Sequence, residues 1–503
     1  MEPPKQTSNL RQKAVKGVLW SAIESWGKQA VSFGVFFLLA RLLGPEAFGL
    51  VALSGIFLSF LQIFVDQGFS TAIVQRQDLE PEHLDTAFWT NLGVSILLAT
   101  LSIICSGLVA LFFKEPKIVP IICWLSLNFV LNGLSSVQQA LLQRSLAFKS
   151  LAIRSLIAVV VGGIVGIILA FLGFGVWSLV GQYLANSVTQ VIALWWVSDW
   201  RPRFRFSRKH FKELFAFGIN VTGINLLNFV NQNSDNLLIG YFLDSVALGY
   251  YSVAYRIFMI VTQLMISVIQ KIAMPVFSRL QQEPEKMRKA FYNAISFTSL
   301  VAFPVFIGIS ILSPDLIVTF FGEKWKTSVP VLQILTLVGP LYAGFYYNGT
   351  VIMAMGKPGW NLALYCIQAI GNFTCFWIAV RWGIVAVAAS YVIRAYIMSP
   401  IPIFVLKKLI NIKLTTYLQQ YLTPLVATLA MGAGILGIKS LFNFTIKNLF
   451  NFPDIVNSYT LLFLCIVGGF LIYTGTITLI APQYLQQIRN LLSSLFPKMS
   501  LKK

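Results

Sequence analysis

The chain has 503 residues, of which 57% are hydrophobic and only 11% charged. Soluble domains carry about 25% charged residues, so most of this chain belongs in lipid and reads as an all-α, polytopic membrane protein. The formal charge of +20 would suit nucleic acid, but Lys and Arg concentrate in short loops between apolar spans, and no compact basic domain is present to bind it.

A basic N-terminus (Lys5, Arg11, Lys13, Lys16), without a cleavable signal pattern, leads into a first span at 17–41. That span carries Ser21, Glu24, Ser25, Lys28, Gln29 and Ser32 at helical spacing, so they share one face. Leu19, Trp20, Ile23, Trp26, Val31, Phe33, Val35 and Phe36 cover the other faces. A charge near the bilayer centre costs roughly 2.5–3.5 kcal/mol and normally faces other helices or water. Glu24 and Lys28, four apart, can pair along the helix. Gly44-Pro45 then breaks it.

Five further spans are expected near 47–66, 86–112, 118–142, 152–172 and 176–197. The last two are separated at Gly173-Phe174-Gly175, because the charge-free run 155–198 is too long for one crossing. Asp66 follows Ser59 and Gln62 at the end of the second span. The fourth aligns Asn128, Asn132, Ser135, Gln139 and Gln143. The next spans fall near 215–242, 247–270, 291–312, 328–355, 359–380, 384–406, 418–438 and 456–480, about fourteen in all at about 20 residues each. The basic segments 201–212 and 271–289 then share one side with both termini, which the positive-inside rule makes cytoplasmic. Residues 485–495 make a short amphipathic tail that either lies on the inner surface or frays.

The chain repeats itself. Ser25, Lys28 and Ser32 fall opposite Asn225, Asn228 and Gln232, and LLGPEAFG (42–49) opposite FLDSVALG (242–249). GVWSLVGQYLAN (175–186) matches GIVAVAASYVIR (383–394), placing Asn186 opposite Arg394. The organisation expected is a six-helix lobe at 1–212, a second at 213–409, and two extra helices with a tail at 410–503. Paired polar-striped spans suggest a shared wet space between halves, as in many transporters.

Enzyme signatures are missing: there is no phosphate loop, no H-E-x-x-H, no G-x-S-x-G and no D-x-D pair. His83 and His210 lie in charged loops and read as solvated. The five cysteines, all inside apolar spans, read as core residues rather than disulfide or metal ligands. No cofactor is expected beyond a coupling H⁺ or Na⁺. The informative charges are Lys28, Arg256 and Arg394, the basic residues well inside apolar stretches. Cations around one cavity suit an anionic ligand, and arginine grips phosphate by paired hydrogen bonds. The alternative is that Glu24–Lys28 is a packing pair and the arginines satisfy buried carbonyls. Glu24 and Asp235 are the candidates for ion coupling, with Asp235 serving equally well to balance Arg256. Asn225, Asn228, Gln232, Tyr342 and Tyr346, with Ser25, Gln29, Ser32, Asn128 and Asn132, suit sugar hydroxyls and ring faces, or interhelical hydrogen bonds. Pro304, Pro340 and Pro400 mark bends.

ARLLGPEAFGLVAL (40–53), DQGFSTAIVQR (66–76), QNSDNLLIGYFLDSVALGYYSVAYRI (232–257) and FFGEKW (320–325) resemble Wzx-type polysaccharide flippases of the multidrug/oligosaccharidyl-lipid/polysaccharide exporter superfamily. The resemblance covers nearly the whole chain. It implies a V-shaped, two-lobed transporter of the bacterial inner membrane that flips undecaprenyl-diphosphate-linked oligosaccharide by alternating access. Its partners would be that lipid-linked glycan, membrane lipids and other polysaccharide assembly proteins. Relatives that flip peptidoglycan precursors grip the diphosphate with cavity arginines, and Lys28 and Arg256 occupy comparable helices. The two final spans resemble a pair that shapes a groove for the lipid tail. Two alternatives stand beside this reading. One is a cation-coupled drug exporter of the same fold, which a dye-resistance assay would reveal. The other is a membrane glycan polymerase or ligase, which usually needs a larger outer loop.

Overall fold

The computed structural model describes residues 5–65, 69–76, 78–442 and 454–484 and, within them, the side chains outside 5–19, 21–23, 212–222, 224, 266–272 and 454–457. Asp66 and the 485–495 tail lie outside the described residues. Regular structure among the described residues is helical, without a strand. The first half comprises α1 (Lys5–Leu42), α2 (Pro45–Gln62), α3 (Phe69–Gln75), α4 (Pro81–Phe113), α5 (Ile118–Leu125), α6 (Leu127–Arg144), α7 (Phe148–Phe171), α8 (Val176–Val197) and α9 (Arg208–Phe242). It is followed by α10 (Ser245–Arg279), α11 (Pro284–Phe321), α12 (Val329–Thr336), α13 (Gly339–Ala354) and α14 (Pro358–Ala379). The last helices are α15 (Ile384–Met398), α16 (Pro400–Ile410), α17 (Leu414–Leu441) and α18 (Asp454–Ile480).

Among the described residues, ten helices are long and apolar enough to cross a membrane, and eleven when a pair bent by 50°, Glu323–Thr336 with Gly339–Ala354, counts as one span. The chain is a multi-pass membrane protein. The expected spans outside that set are α1, α8 and α9, each interrupted by polar side chains such as Lys28, Gln182 and Asn228. Pro340 and Pro400 sit in the first turns of α13 and α16, where a missing N–H leaves no bond unmade. Pro304 lies inside α11. The charge-free run divides where the glycines stand. Gly173 (φ +82°) and Gly175 (φ +56°) adopt left-handed conformations that turn the chain from α7 into α8.

Packing separates two compact units. The first contains Met1–Val253 and Asn372–Ile384, the second Ala254–Gly371 and Val385–Lys503. Its first boundary falls within α10, whose opening turns pack in the first unit.

In the first unit, α7 approaches α8 through Gly162 and Gly166. A Cβ on Gly162 would meet Gln182 O at 2.8 Å, and one on Gly166 would meet Gln182 Cβ at 2.8 Å. Such small residues let membrane helices gain dispersion contacts that lipid cannot outcompete. Phe69, Ile73, Ala87, Phe88, Val137 and Ala140 form a core joining α3, α4 and α6. The internal repeat is visible as geometry. A Cβ on Gly49 would lie 1.6 Å from Ser245 O, and one on Gly249 would lie 1.9 Å from Pro45 O. Each pair is the image of the other under the repeat register, so α2 and α10 cross backbone to backbone about a local twofold axis.

In the second unit, Met287, Phe291 and Ile295 of α11 pack with Phe277, Tyr347, Val351, Leu406 and Tyr417. Farther along α11, Leu300 and Leu312 meet Met431 and Ile435 of α17 and Leu462, Cys465 and Tyr473 of α18. The Lys439 Nζ–Asp315 Oδ2 ion pair, 2.5 Å, ties α17 to α11. The five cysteines are free thiols.

Candidate functional site

On α1 the polar face is divided. Ser25 and Lys28 are exposed, while Glu24, Gln29 and Ser32 are half-buried. The Glu24–Lys28 ion pair is absent among the described residues. Glu24 Oε1 instead accepts the Ser155 hydroxyl of α7 at 2.7 Å. Beside Ser155 stands Arg154, 7% exposed. It donates to Gln139 Oε1 of α6 (3.3 Å) and points toward Ser155 Oγ (3.5 Å), while its Nε has no partner. A chain of polar groups therefore joins α1, α7 and α6. Arg154 escaped the sequence reading because it stands at the edge of its span, where a cation reads as an ordinary loop charge. Its signal was there: it is the last charge before the charge-free run.

The α6 face is equally mixed. Asn132 donates to Gln62 Oε1 of α2 (3.4 Å), Ser135 bonds back to Leu131 O (3.0 Å), and Asn128 Oδ1 is buried without a partner.

On α9, Asn225 and Gln232 are exposed and Asn228 half-buried. Asp235 is 2% exposed. Its Oδ2 accepts the Tyr251 hydroxyl at 2.7 Å and its Oδ1 the backbone N–H of Asn236 at 2.8 Å. Near it, Asn372 donates to Asn231 Oδ1 at 3.1 Å. The carbonyl oxygens of Asn236 and Asn372 are buried without partners. A buried carboxylate is a setting in which a proton is stabilised. Asn372 was not singled out from sequence, although an amide inside an apolar span was the available clue.

Arg256 and Arg394 belong to the second unit and Lys28 to the first. Arg256 is half-buried. Arg394 is 8% exposed, its guanidinium lies 5.3 Å from the Tyr391 ring centroid, and its Nε has no partner. Tyr391 shares a hydroxyl–hydroxyl bond with Tyr342, whose ring lies 5.2 Å from that of Tyr346. Arg394, Tyr342 and Tyr346 are thus brought together through Tyr391, which lies in the repeated segment 383–394 and was not singled out from sequence. A cation backed by phenols pairs naturally with phosphate or with sugar rings.

The two histidines overturn the expectation of solvated loop residues. His83 is 1% and His210 8% exposed, and their ring centroids lie 4.0 Å apart with the planes tilted by 49°.

Against known proteins, the profile of the family described as polysaccharide biosynthesis protein matches residues 38–330. The chain is 28% identical to the teichuronic acid biosynthesis protein TuaB of Bacillus subtilis, over 86% of this chain and 90% of that one. It is 29% identical to the succinoglycan biosynthesis transport protein ExoT of Rhizobium meliloti, over 66% and 67%. Among solved structures it superposes on a lipid II flippase, MurJ in an inward closed conformation, with a TM-score of 0.74 at 14% identity, covering 93% of this chain and all of the other. The helical fold is therefore the one seen in that structure. With the family match spanning more than half of its length, the chain belongs to the polysaccharide biosynthesis protein family.

Proposed function

We propose that this protein is a flippase, not an enzyme, that moves undecaprenyl-diphosphate-linked oligosaccharide across the bacterial inner membrane for cell-surface polysaccharide assembly. The observation that carries the reading is the set of polar and charged side chains retained on membrane helices of a transporter fold. Arg394 with Tyr342, Tyr391 and Tyr346 is the clearest group. In hydrocarbon such residues persist where they serve a substrate or one another. Lys28, Arg256 and Arg394 hold the diphosphate. The amides of α1, α6 and α9 and the phenols of α13 face the glycan, while the polyprenyl chain stays in lipid. Both termini lie in the cytoplasm.

Translocation requires that the head group bind inward- and outward-open states with different affinity. Asp235, or Glu24, couples an H⁺ or Na⁺ gradient to that difference. Support for transport comes from the succinoglycan transport relative. Support for a lipid-linked substrate comes from the family's link to polysaccharide biosynthesis.

The test is reconstitution in proteoliposomes with a lipid-linked oligosaccharide on one leaflet, followed by its exposure to an impermeant glycan-cleaving enzyme. Transfer of the glycan to the protected leaflet supports the reading. A new glycosidic bond, or export of cationic dyes with no movement of the glycan lipid, overturns it.

A further inference from the structure

A cluster outside the residues assigned to translocation sits where α4 and α9 begin. Glu80 caps α4, His83 lies in its first turn and His210 in the first turn of α9. One ligand atom from each lies within 4.8 Å of the others. His210 Nε2 is 3.3 Å from Glu80 Oε2, about the edge length of a tetrahedron whose metal–ligand bonds are about 2.0–2.1 Å.

The two helix starts are held together by contacts outside the cluster. Arg203 N–H donates to Asp85 Oδ1 (3.0 Å), Ser207 N–H to Thr86 Oγ1 (3.1 Å), and Trp89 Nε1–H to Arg203 O (2.8 Å). The loop that leads into α9 and His210 is thereby pinned along the first turns of α4. Burying one imidazole against another gains little apolar contact and leaves His210 Nδ1 without a partner, while His210 Nε2, beside Glu80 Oε2, is the atom placed to ligate. His83 Nδ1 accepts the Glu80 backbone N–H at 3.2 Å. Coordination there would release that N–H to water at the helix cap, where the Glu80 side chain is 60% exposed.

We infer that Glu80, His83 and His210 form a site for one divalent transition-metal ion, with water completing its shell. Two nitrogens and a carboxylate suit zinc-like ions, whereas magnesium and calcium prefer all-oxygen shells. The ion would staple the start of α4 to the start of α9, the helix that carries Asn228, Gln232 and Asp235. The site stands independently of the transport reading.

The experiment titrates the full-length protein, purified through a histidine-free tag and held in lipid nanodiscs, with Co²⁺ and then Zn²⁺. The expected result is one equivalent of Co²⁺ with the visible absorption of a nitrogen-containing, low-coordinate complex, displaced by Zn²⁺. His83→Ala, His210→Ala and Glu80→Gln should each weaken binding by about tenfold or more. Zn²⁺ should raise the melting temperature of the wild type and not of Glu80→Gln. Glu80→Gln preserves side-chain size, so it serves even where a histidine variant fails to fold. Substoichiometric binding by the wild type, or equal affinity in Glu80→Gln, overturns the site.

Discussion

The crossing of α2 and α10 makes the most quantitative prediction. In Gly49→Ala the new methyl would stand 1.6 Å from Ser245 O, and in Gly249→Ala 1.9 Å from Pro45 O. Ordinary contact begins near 3.4 Å, so the two helices must part by about 1.5–1.8 Å in either variant. The obstacle is a carbonyl oxygen of a helix first turn, not a side chain that can rotate away. Overpacking of this kind costs about 1–3 kcal/mol, with a backbone clash at the upper end. Alanine in place of a helical glycine returns about 1 kcal/mol of propensity, leaving a net loss of about 2 kcal/mol for each single variant.

The two clashes are relieved by one and the same separation. The double variant, with one separation and two propensity gains, should therefore be no worse than either single one, with a coupling of about 3 kcal/mol. Thermal unfolding followed by size-exclusion fluorescence in detergent reads both quantities. A single variant that melts at or above the wild-type temperature, or a double variant whose loss is the plain sum, refutes the backbone crossing.

Ser155→Ala removes the donor to the half-buried Glu24 and should lower stability by about 1–3 kcal/mol, measured by the same melting assay; an unchanged melt removes the α1–α7 tie. Arg256→Ala and Arg394→Ala should abolish surface glycan export while the protein remains inserted and monodisperse, read by glycan staining of intact cells. Normal export by an adequately expressed Arg256→Ala protein discards its diphosphate role. Asp235→Asn should make glycan translocation in proteoliposomes insensitive to an imposed H⁺ or Na⁺ gradient, and Tyr251→Phe, which removes the phenol bond to that carboxylate and leaves the Asn236 N–H bond, should alter the gradient response without abolishing it. A full response in Asp235→Asn takes Asp235 out of the coupling.

What could be read from the chain was whatever repeats at short range. Apolar length sets a span, so the run 155–198 had to fold back on itself, and Gly173 and Gly175 were the residues able to turn there. Spacing of three and four sets a helix face, so the stripes on α1, α6 and α9 were legible as stripes. Their partners were not, because helical periodicity names a face and never says what lies against it. Glu24 had Lys28 one turn away, yet it meets Ser155, brought beside it by the packing of α1 on α7. The same limit hid the histidines. Each sits in a charged segment where exposure is the ordinary outcome, and only the loop pinned to Asp85 and Thr86 delivers His210 onto His83. The repeat is the one long-range feature the sequence carried, since two copies of one unit tend to meet through equivalent positions. Gly49 and Gly249 occupy such positions in LLGPEAFG and FLDSVALG, and they lie against each other. The sequence reading drew from that symmetry only a shared wet space between halves, and the glycine contact emerged from the structure.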